Sequence, residues 1–552
     1  MLKSKHLPLL LILLFGFILR LYGINWDNGL HLHPDERMII MVADRIQFFN
    51  NLNPEFFNYG SLPIYLLKGI AQLIDIFFSS NVATYQGMLY LGRFLSILFD
   101  LGTIFLINKI SFLLFSTSSN NNEDNKLRAK SRSLYNNIGL SASLFYAISF
   151  FPIQNAHFYT FDTLFTFLST LLVYALLYYW KRPSSKYLLF MSIAFAALFA
   201  TKFTAIIFLP IILLVLYLKK GFSSIIYHLG SSILFVFLFM PYAFLDFSKF
   251  WADTSTQLAM SKNPYVFPYT LQYVGTTPYI YYLKNIFLWG LGPIISVLSF
   301  IGLISFSSVM LNSFQHLIRS RNKIGMTLKC HFLFFIFYIL YFLIIGFSAV
   351  KFMRYMLPMY PFFTILAGYG LSHVFAIPAK GTSDVPKAGI QSKHIFLLLS
   401  LLWTLLFLNI YSQPNTRITA TEWILKNIPA GSTLAVEHWD DRLPIYGSEK
   451  YYINELQLYN LPDDAFKWSR INEQLQKSNY MIIASNRLYV PLQKLAKYPM
   501  TGAYYRRLFK EQLGFKKIAE FSNHPLFIDD QSADESFTVY DHPKIMIFKK
   551  TF

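Results

Sequence analysis

The stretch KYLLFMSIAFAALFATKFTAIIFLPIILLVLYLKK, residues 186–220, decides the fold class of this chain. Between Lys186 and Lys219 it carries one charged residue, Lys202. Apolar sequence sustained over such a length belongs in a bilayer. The cations that flank it, in KRPSSK at 181–186 and in the pair Lys219-Lys220, should share one side of the membrane. Residues 187–218 are too short for two full crossings of about 30 Å at a rise of about 1.5 Å per residue. The stretch therefore reads as two short helices, 187–200 and 203–218, whose tip carries Lys202 and dips into the outer part of the membrane.

Working outward, further apolar spans fall near 7–24, 86–110, 135–153, 159–180, 222–245, 285–310, 331–349, 356–376 and 394–412, for about eleven transmembrane helices in all. Apolar residues make up 54% of the 552 and charged residues 14%, which excludes a disordered chain and an ordinary soluble one. The net charge of +19 resembles a nucleic-acid footprint until it is mapped. With the N-terminus cytoplasmic, the inner segments hold +16, residues 413–552 hold +2 and the remainder +1. The charge therefore orients a multi-pass plasma-membrane protein and implies no nucleic-acid partner. The run after Lys3 and Lys5 lacks a small-residue cleavage site, so it reads as an uncleaved first span. Cys330 is the only cysteine, which excludes an internal disulfide.

On this topology residues 1–412 form a helical membrane module with outer loops 25–85 and 246–284. Residues 413–552 form a small extracytoplasmic α/β domain. In that domain TATEWILKNIP reads as a helix, and TLAVEHW, YMIIASN and FTVYDHPKIMIFKK read as strands. Residues 61–80 read as an amphipathic helix lying in the interface, and 116–133 as a polar cytoplasmic linker.

Acids are scarce outside the inner segments and the tail, yet two are adjacent in HPDER: Asp35 and Glu36. A carboxylate at the membrane interface suits a general base acting on a hydroxyl. The same residues also suit a plain helix start, with Pro34 and Asp35 in the first turn. His31 and His33 beside them raise a metal site on a weak signal, so a divalent cation is left open and no metal ligand is assigned. Arg93, Lys202, Lys351 and Arg354 sit at or near membrane depth, where charge is costly and is either paired or functional. Snorkelling, or pairing with Asp100 or Asp162, is the alternative; Arg93 and Asp100 are seven apart on one helix face. Asp162 starts its span at the same outer level. Acids and cations from several elements thus converge on one interface, a pattern suited to holding a phosphate as it departs. On the outer side a lipid-carried sugar donor is more consistent than a nucleotide sugar. The aromatic stretch Phe267–Tyr282 reads as an interfacial belt or as the lining of a sugar or polyprenyl groove.

At these residues the chain resembles the GT-C superfamily, in the polyprenyl-phosphate-sugar-dependent branch that includes protein O-mannosyltransferases and the aminoarabinose transferases of lipid A. The matching strings are HPDE at 33–36, YGSLPIYL at 59–66, GRFLSILFD at 92–100, HFYTFDTLF at 157–165, ATKFTAIIFLP at 200–210 and RYMLPMYPFFTILAGYGL at 354–371. The resemblance implies a GT-C-like helical module, with Asp35, and Glu36 beside it, as the catalytic base that activates the acceptor. It implies that Arg93 and Arg354 contact the donor phosphate, and that Asp162 and Lys202, with His33 and Tyr59, belong to the same cavity. One departure concerns the phosphate: Gly60-Ser61-Leu62-Pro63 stands where the aminoarabinose transferases carry a Lys-Pro-Pro-like string, leaving Lys202 or Lys351 to substitute. The expected activity is inverting transfer of a sugar from a polyprenyl-phosphate donor to an acceptor hydroxyl on a lipid, glycan or protein, on the extracytoplasmic side. A transporter or flippase of a lipid-linked sugar is the alternative. It predicts charge along the whole depth and inverted repeats. Here the charge gathers at one end and no repeat is visible.

Overall fold

Proline stands in the first turn of several helices, including those that begin at Leu7, Pro34, Leu62 and Leu209, where its missing N–H costs no helical hydrogen bond. The computed structural model describes residues 6–115, 125–319, 326–374 and 385–551. Its first elements are α1 (Leu7–Leu21), α2 (Pro34–Arg45), α3 (Leu62–Phe78), α4 (Tyr85–Phe115) and α5 (Asn125–Ala147). They continue with α6 (Phe150–Ala156), α7 (Phe161–Lys181), α8 (Ser185–Phe199), α9 (Leu209–Lys220) and α10 (Phe222–Phe239). Long helices then cover Pro293–Arg319, Met326–Gly346, Tyr360–Val374 and Val385–Leu408.

Among the described residues five helical stretches are long and apolar enough to cross a membrane: Tyr85–Phe115, Phe161–Lys181, Phe203–Lys220, Phe222–Phe239 and His394–Asn427. On α10, Phe222, Ile226, Ile233, Leu234 and Leu238 are all more than half exposed, which only a lipid surround makes tolerable. This is a multi-pass membrane protein. Where Pro293–Arg319 crosses Tyr360–Val374, a methyl group on Gly302 would overlap the Leu366 carbonyl, and one on Gly370 the Leu298 carbonyl. The two backbones touch because neither position carries a side chain.

The stretch 186–220 folds as two helices joined at Lys202, but the second is longer than a short reading allows. A 3₁₀ turn, Phe203–Phe208, leads directly into α9. At about 2.0 Å per 3₁₀ residue and about 1.5 Å per α residue the pair reaches about 30 Å, a full crossing. The span read at 135–153 is divided, α5 ending at Ala147 and the buried α6 starting at Phe150. Of the linker read at 116–133, residues 125–133 are already helical and the rest lies outside the described residues. The polar face of α3 is satisfied by protein: Lys68 donates to the Ala83 carbonyl (3.0 Å), and Asp75 accepts from the Val82 and Ala83 amides (2.6 and 2.8 Å). Ile76, Phe77 and Phe78 on its other side are exposed.

Asp100 of α4 takes its cation from another helix. It accepts from Arg20 Nε of α1 (2.5 Å) and from the Tyr146 hydroxyl of α5 (2.6 Å). The pairing of Arg93 with Asp100 is thereby corrected: seven residues are about 10 Å along one helix, whereas Arg20 lies alongside.

Residues beyond 413 build a five-stranded sheet, β1 (Thr433–Glu437), β2 (Tyr452–Leu456), β3 (Tyr480–Ile483), β4 (Phe515–Phe521) and β5 (Ile545–Lys550), ordered β2-β1-β3-β5-β4. The pairs β1·β2 and β1·β3 are parallel; β3·β5 and β4·β5 are antiparallel. Alternation along β1 sends Leu434 and Val436 into one core and Ala435 into the other. The string FTVYDHPKIMIFKK is a strand only from Ile545. Its first part, with Glu535–Thr538 as one helical turn, passes among the membrane helices. Phe537 packs against Phe150, Trp289 and Phe407 there.

Buried polar contacts lock this insertion. Asp534 accepts from the Tyr273 and Tyr281 hydroxyls (3.0 and 2.8 Å), and Asp541 from Gln154 Nε2 (3.0 Å) and the Tyr411 hydroxyl (2.7 Å). His542 bridges Asp541 (2.5 Å) and Asp530 (2.8 Å). Burial alone would strip the ring of its extra proton, but the two carboxylates hold it and push the pKa up to about 10. A folded-state pKa above the unfolded value gives stability that is complete below about pH 6.5 and is lost as pH rises through about 10. His542→Gln is expected to cost about 3–5 kcal/mol at neutral pH by leaving two carboxylates unpaired. In detergent the unfolding midpoint should fall at pH 7, with a smaller gap from wild type at pH 10. Equal midpoints at pH 7 would refute the lock.

Candidate active site

Arg354 enters the site because Met353–Met359 winds as a 3₁₀ turn just before the helix at Tyr360. Its Nη1 donates to Asp35, which sits in the first turn of α2 behind the N-cap His33. Its Nε lies 3.8 Å from Asp162 at the start of α7. Asp162 in turn accepts from Lys202 Nζ (3.1 Å), and that ammonium stands 4.2 Å from the Tyr355 ring centroid. Four elements distant in sequence thus place acid and cation alternately: Asp35, Arg354, Asp162, Lys202. Tyr59 stacks on Phe161 at 4.1 Å beside this row.

A cavity of about 590 Å³ opens on the row. Asp35, Tyr59, Arg354 and Tyr355 line it, while Asp162 and Lys202 lie behind Arg354 rather than on its wall. The Asp35 side chain is 26% exposed, against 8% for Arg354, so the carboxylate is the most accessible group of the row.

The structure does not bring Arg93 or Glu36 to this cavity, which corrects the reading of one as a donor-phosphate ligand and of the other as a base. Both side chains are fully enclosed. Arg93 bonds Glu36 (2.7 Å), Asp27 (2.8 and 2.9 Å) and the Ile24 carbonyl (2.8 Å), so no guanidinium edge remains for a phosphate. Burial raises the Glu36 carboxyl above its ordinary range, against the pull of Arg93. Burial also pushes Asp27 up, but Arg93 and the Leu32 and Gly29 amides outweigh it and leave the group below the usual value. The cluster pins residues 24–36 to α4 and so fixes where Asp35 begins. His33 is also buried, packed between Phe158 (4.5 Å) and Tyr540 (4.2 Å), and its Nδ1 accepts from the Glu36 amide (3.4 Å). It supports the helix start rather than lining the cavity. Lys351 is buried, donates to the nearby Ala349 carbonyl (3.3 Å) and does not line the cavity either.

The residues of the weak metal reading point apart: His31 bonds Gln86 and stacks on Tyr85, while Glu36 and Asp35 are taken by different arginines. Among the described residues no group of three or more His, Cys, Asp or Glu could hold a metal ion.

One whole side of the cavity wall was missed from the sequence. It comes from the sheet region, with Glu437 to Arg442, Arg487, Glu535 and Tyr540; Tyr269, from the aromatic stretch 267–282, lines the cavity as well. The signal was present in EHWDDR at 437–442, a run of ionisable and aromatic residues leaving a strand, which was counted only as the end of that strand. Burial pushes Glu535 up to about 7 despite Arg487 at 3.1 Å.

Residues 128–244, which hold Asp162 and Lys202, match the family model described as dolichyl-phosphate-mannose-protein mannosyltransferase. That match spans about a fifth of the chain. Solved structures similar to this chain include that of the Archaeoglobus fulgidus oligosaccharyltransferase in complex with zinc and sulfate. That likeness has 12% identity and a TM-score of 0.49, over 90% of this chain and 71% of that one. ArnT from Cupriavidus metallidurans in the apo state is 11% identical over 98% of both chains, with a TM-score of 0.43. The same ArnT bound to undecaprenyl phosphate is 12% identical over 98% of this chain and 97% of that one, with a TM-score of 0.42. No curated protein matches this sequence.

Proposed function

We propose that this chain is a membrane glycosyltransferase of the GT-C type, which moves a sugar from a polyprenyl-phosphate donor to an acceptor hydroxyl, with inversion, in the cavity headed by Asp35, and that this cavity faces the extracytoplasmic side. Residues 1–412 supply the membrane module and 413–552 the outer domain. The observation that carries the reading is the row Asp35, Arg354, Asp162, Lys202, which places an accessible carboxylate beside a guanidinium that a phosphate can share. Arg354 is already held by Asp35. A donor phosphate entering the cavity competes for that guanidinium and releases the carboxylate, so the base is freed only when a donor is present. Asp35 then accepts the acceptor's proton as its oxygen bonds to the anomeric carbon. The bond from that carbon to the phosphate oxygen breaks, and polyprenyl phosphate leaves with the charge that Arg354 stabilises. Lys202 acts through Asp162: by neutralising it, Lys202 leaves Arg354 free to serve the phosphate.

The test is transfer of labelled sugar from a polyprenyl-phosphate sugar by the purified protein. Losing a hydrogen bond to a charged group costs about 1.5–3 kcal/mol, so Arg354→Gln should raise the donor KM by about 10- to 150-fold. Lys202→Gln should raise it too, with a smaller change in kcat. An unchanged donor KM in Arg354→Gln would reject the phosphate assignment.

A further inference from the structure

The sheet region carries a crevice of its own. From β1 the chain passes to β2 on one side and returns to β3 on the other, so the strand order reverses between β1 and β3. At such a reversal the loops leaving the carboxyl ends diverge and open a cleft, the usual ligand position in open α/β sheets. Here the loop after β1 carries Trp439 and Asp440, the loop after β3 carries Arg487, and all three line the cavity.

Three observations define what this cleft would hold. Trp439 has a φ of +79°, a conformation that costs energy for a bulky residue, and the residue is 42% exposed. It stacks against His438 (5.8 Å, 23°) and Tyr459 (6.3 Å, 26°), so strained backbone presents a supported flat ring. Next, the arginines of this wall each have a carboxylate: Arg487 with Glu535 (3.1 Å) and Asp440 (3.6 Å), Arg417 with Asp441 (3.8 Å), and Arg442 with Glu455 (3.0 Å). Paired charges offer donors and acceptors without a net field, which suits neutral hydroxyls better than an anion. Finally, Glu437 at the end of β1 is 95% buried and lines the cavity, yet only one of its oxygens is bonded, by the Tyr505 hydroxyl; Oε2 has no partner. A buried orphan oxygen is expensive unless a ligand satisfies it. Burial also pushes this carboxyl up to about 8, so it is protonated at neutral pH and has a hydroxyl to donate.

We propose that the cleft at the carboxyl ends of β1 and β3 is a saccharide subsite, in which Trp439 covers a sugar ring face while Glu437, Asp440 and Arg487 bond its hydroxyls. It deepens the transferase reading, on which it rests for its role: the subsite binds a neutral sugar unit of the acceptor and delivers a hydroxyl toward Asp35.

Binding is measured apart from activity, by saturation-transfer NMR on the full chain in detergent with methyl glycosides of glucose, galactose, mannose and N-acetylglucosamine. At least one should receive saturation at its ring protons. Trp439→Ala should weaken that signal about five- to tenfold and Trp439→Tyr should retain it, in line with loss and restoration of one aromatic contact. Glu437→Gln, which keeps a neutral donor and the side-chain shape, should retain the signal, whereas Glu437→Ala should lose it. The proposal is overturned if no glycoside binds wild type, if Trp439→Ala retains the signal, or if a Ser/Thr-rich peptide binds in a Trp439-dependent way where glycosides do not. Trp439-dependent glycoside binding in a wild-type protein that transfers no label would refute the transferase reading and leave the subsite standing.

Discussion

Asp35→Asn is expected to lower kcat for sugar transfer by about 10²- to 10⁴-fold, the range for removing a positioned general base. Donor affinity should move the other way. Asp35 occupies Arg354 in the structure, and an uncharged amide competes less well for that guanidinium, so donor should bind as tightly as to wild type or more tightly. A residue that merely propped up the fold would not produce this split, since misfolding lowers both quantities. Steady-state kinetics with the labelled donor and direct measurement of donor binding separate the two. Full transfer activity in Asp35→Asn would remove this carboxylate from the chemistry.

Arg93→Ala is expected to destabilise the protein by about 3–5 kcal/mol, the usual result of removing one partner from a buried ionic cluster. Asp27 and Glu36 would be left facing each other with no cation between them. Arg93→Lys should recover only part of the loss, because an ammonium cannot supply the forked donors that reach both carboxylates and the Ile24 carbonyl. Unfolding midpoints in detergent report the effect. The fraction that remains folded should keep its donor KM, because Arg93 has no exposed atom from which to touch a phosphate. A raised donor KM with an unchanged midpoint would return Arg93 to the donor site.

Arg93 shows why the site was only partly legible. In sequence, Arg93 and Arg354 look alike: each is a cation in an apolar setting near an aromatic residue. Each meets two acids, and what separates them is enclosure. Arg93 meets two acids in a closed pocket, one of them the neighbour of Asp35, while Arg354 meets Asp35 itself at the edge of a cavity. The adjacent pair Asp35-Glu36 divides for the same reason: successive residues of a helix point about 100° apart, so one faces the cavity and the other the protein interior. The string FTVYDHPK misled because alternating apolar residues read as a strand whether they face a sheet or slot between helices. Phe537, Asp541 and His542 follow the second course.

By itself the sequence determined that this is a helical membrane protein, roughly where its helices run, and that a sheet-containing region follows residue 413. Those properties depend on local quantities: the length of an apolar run, the spacing of polar residues and the turn chemistry between them. The tertiary structure alone decided which acid holds which cation, that Asp162 and Lys202 stand behind Arg354, and that Trp439 and Glu437 complete the cavity. An ion pair is worth little until its partners lie within a few ångströms and water is excluded, and both conditions are set by residues from 40 to more than 300 positions apart.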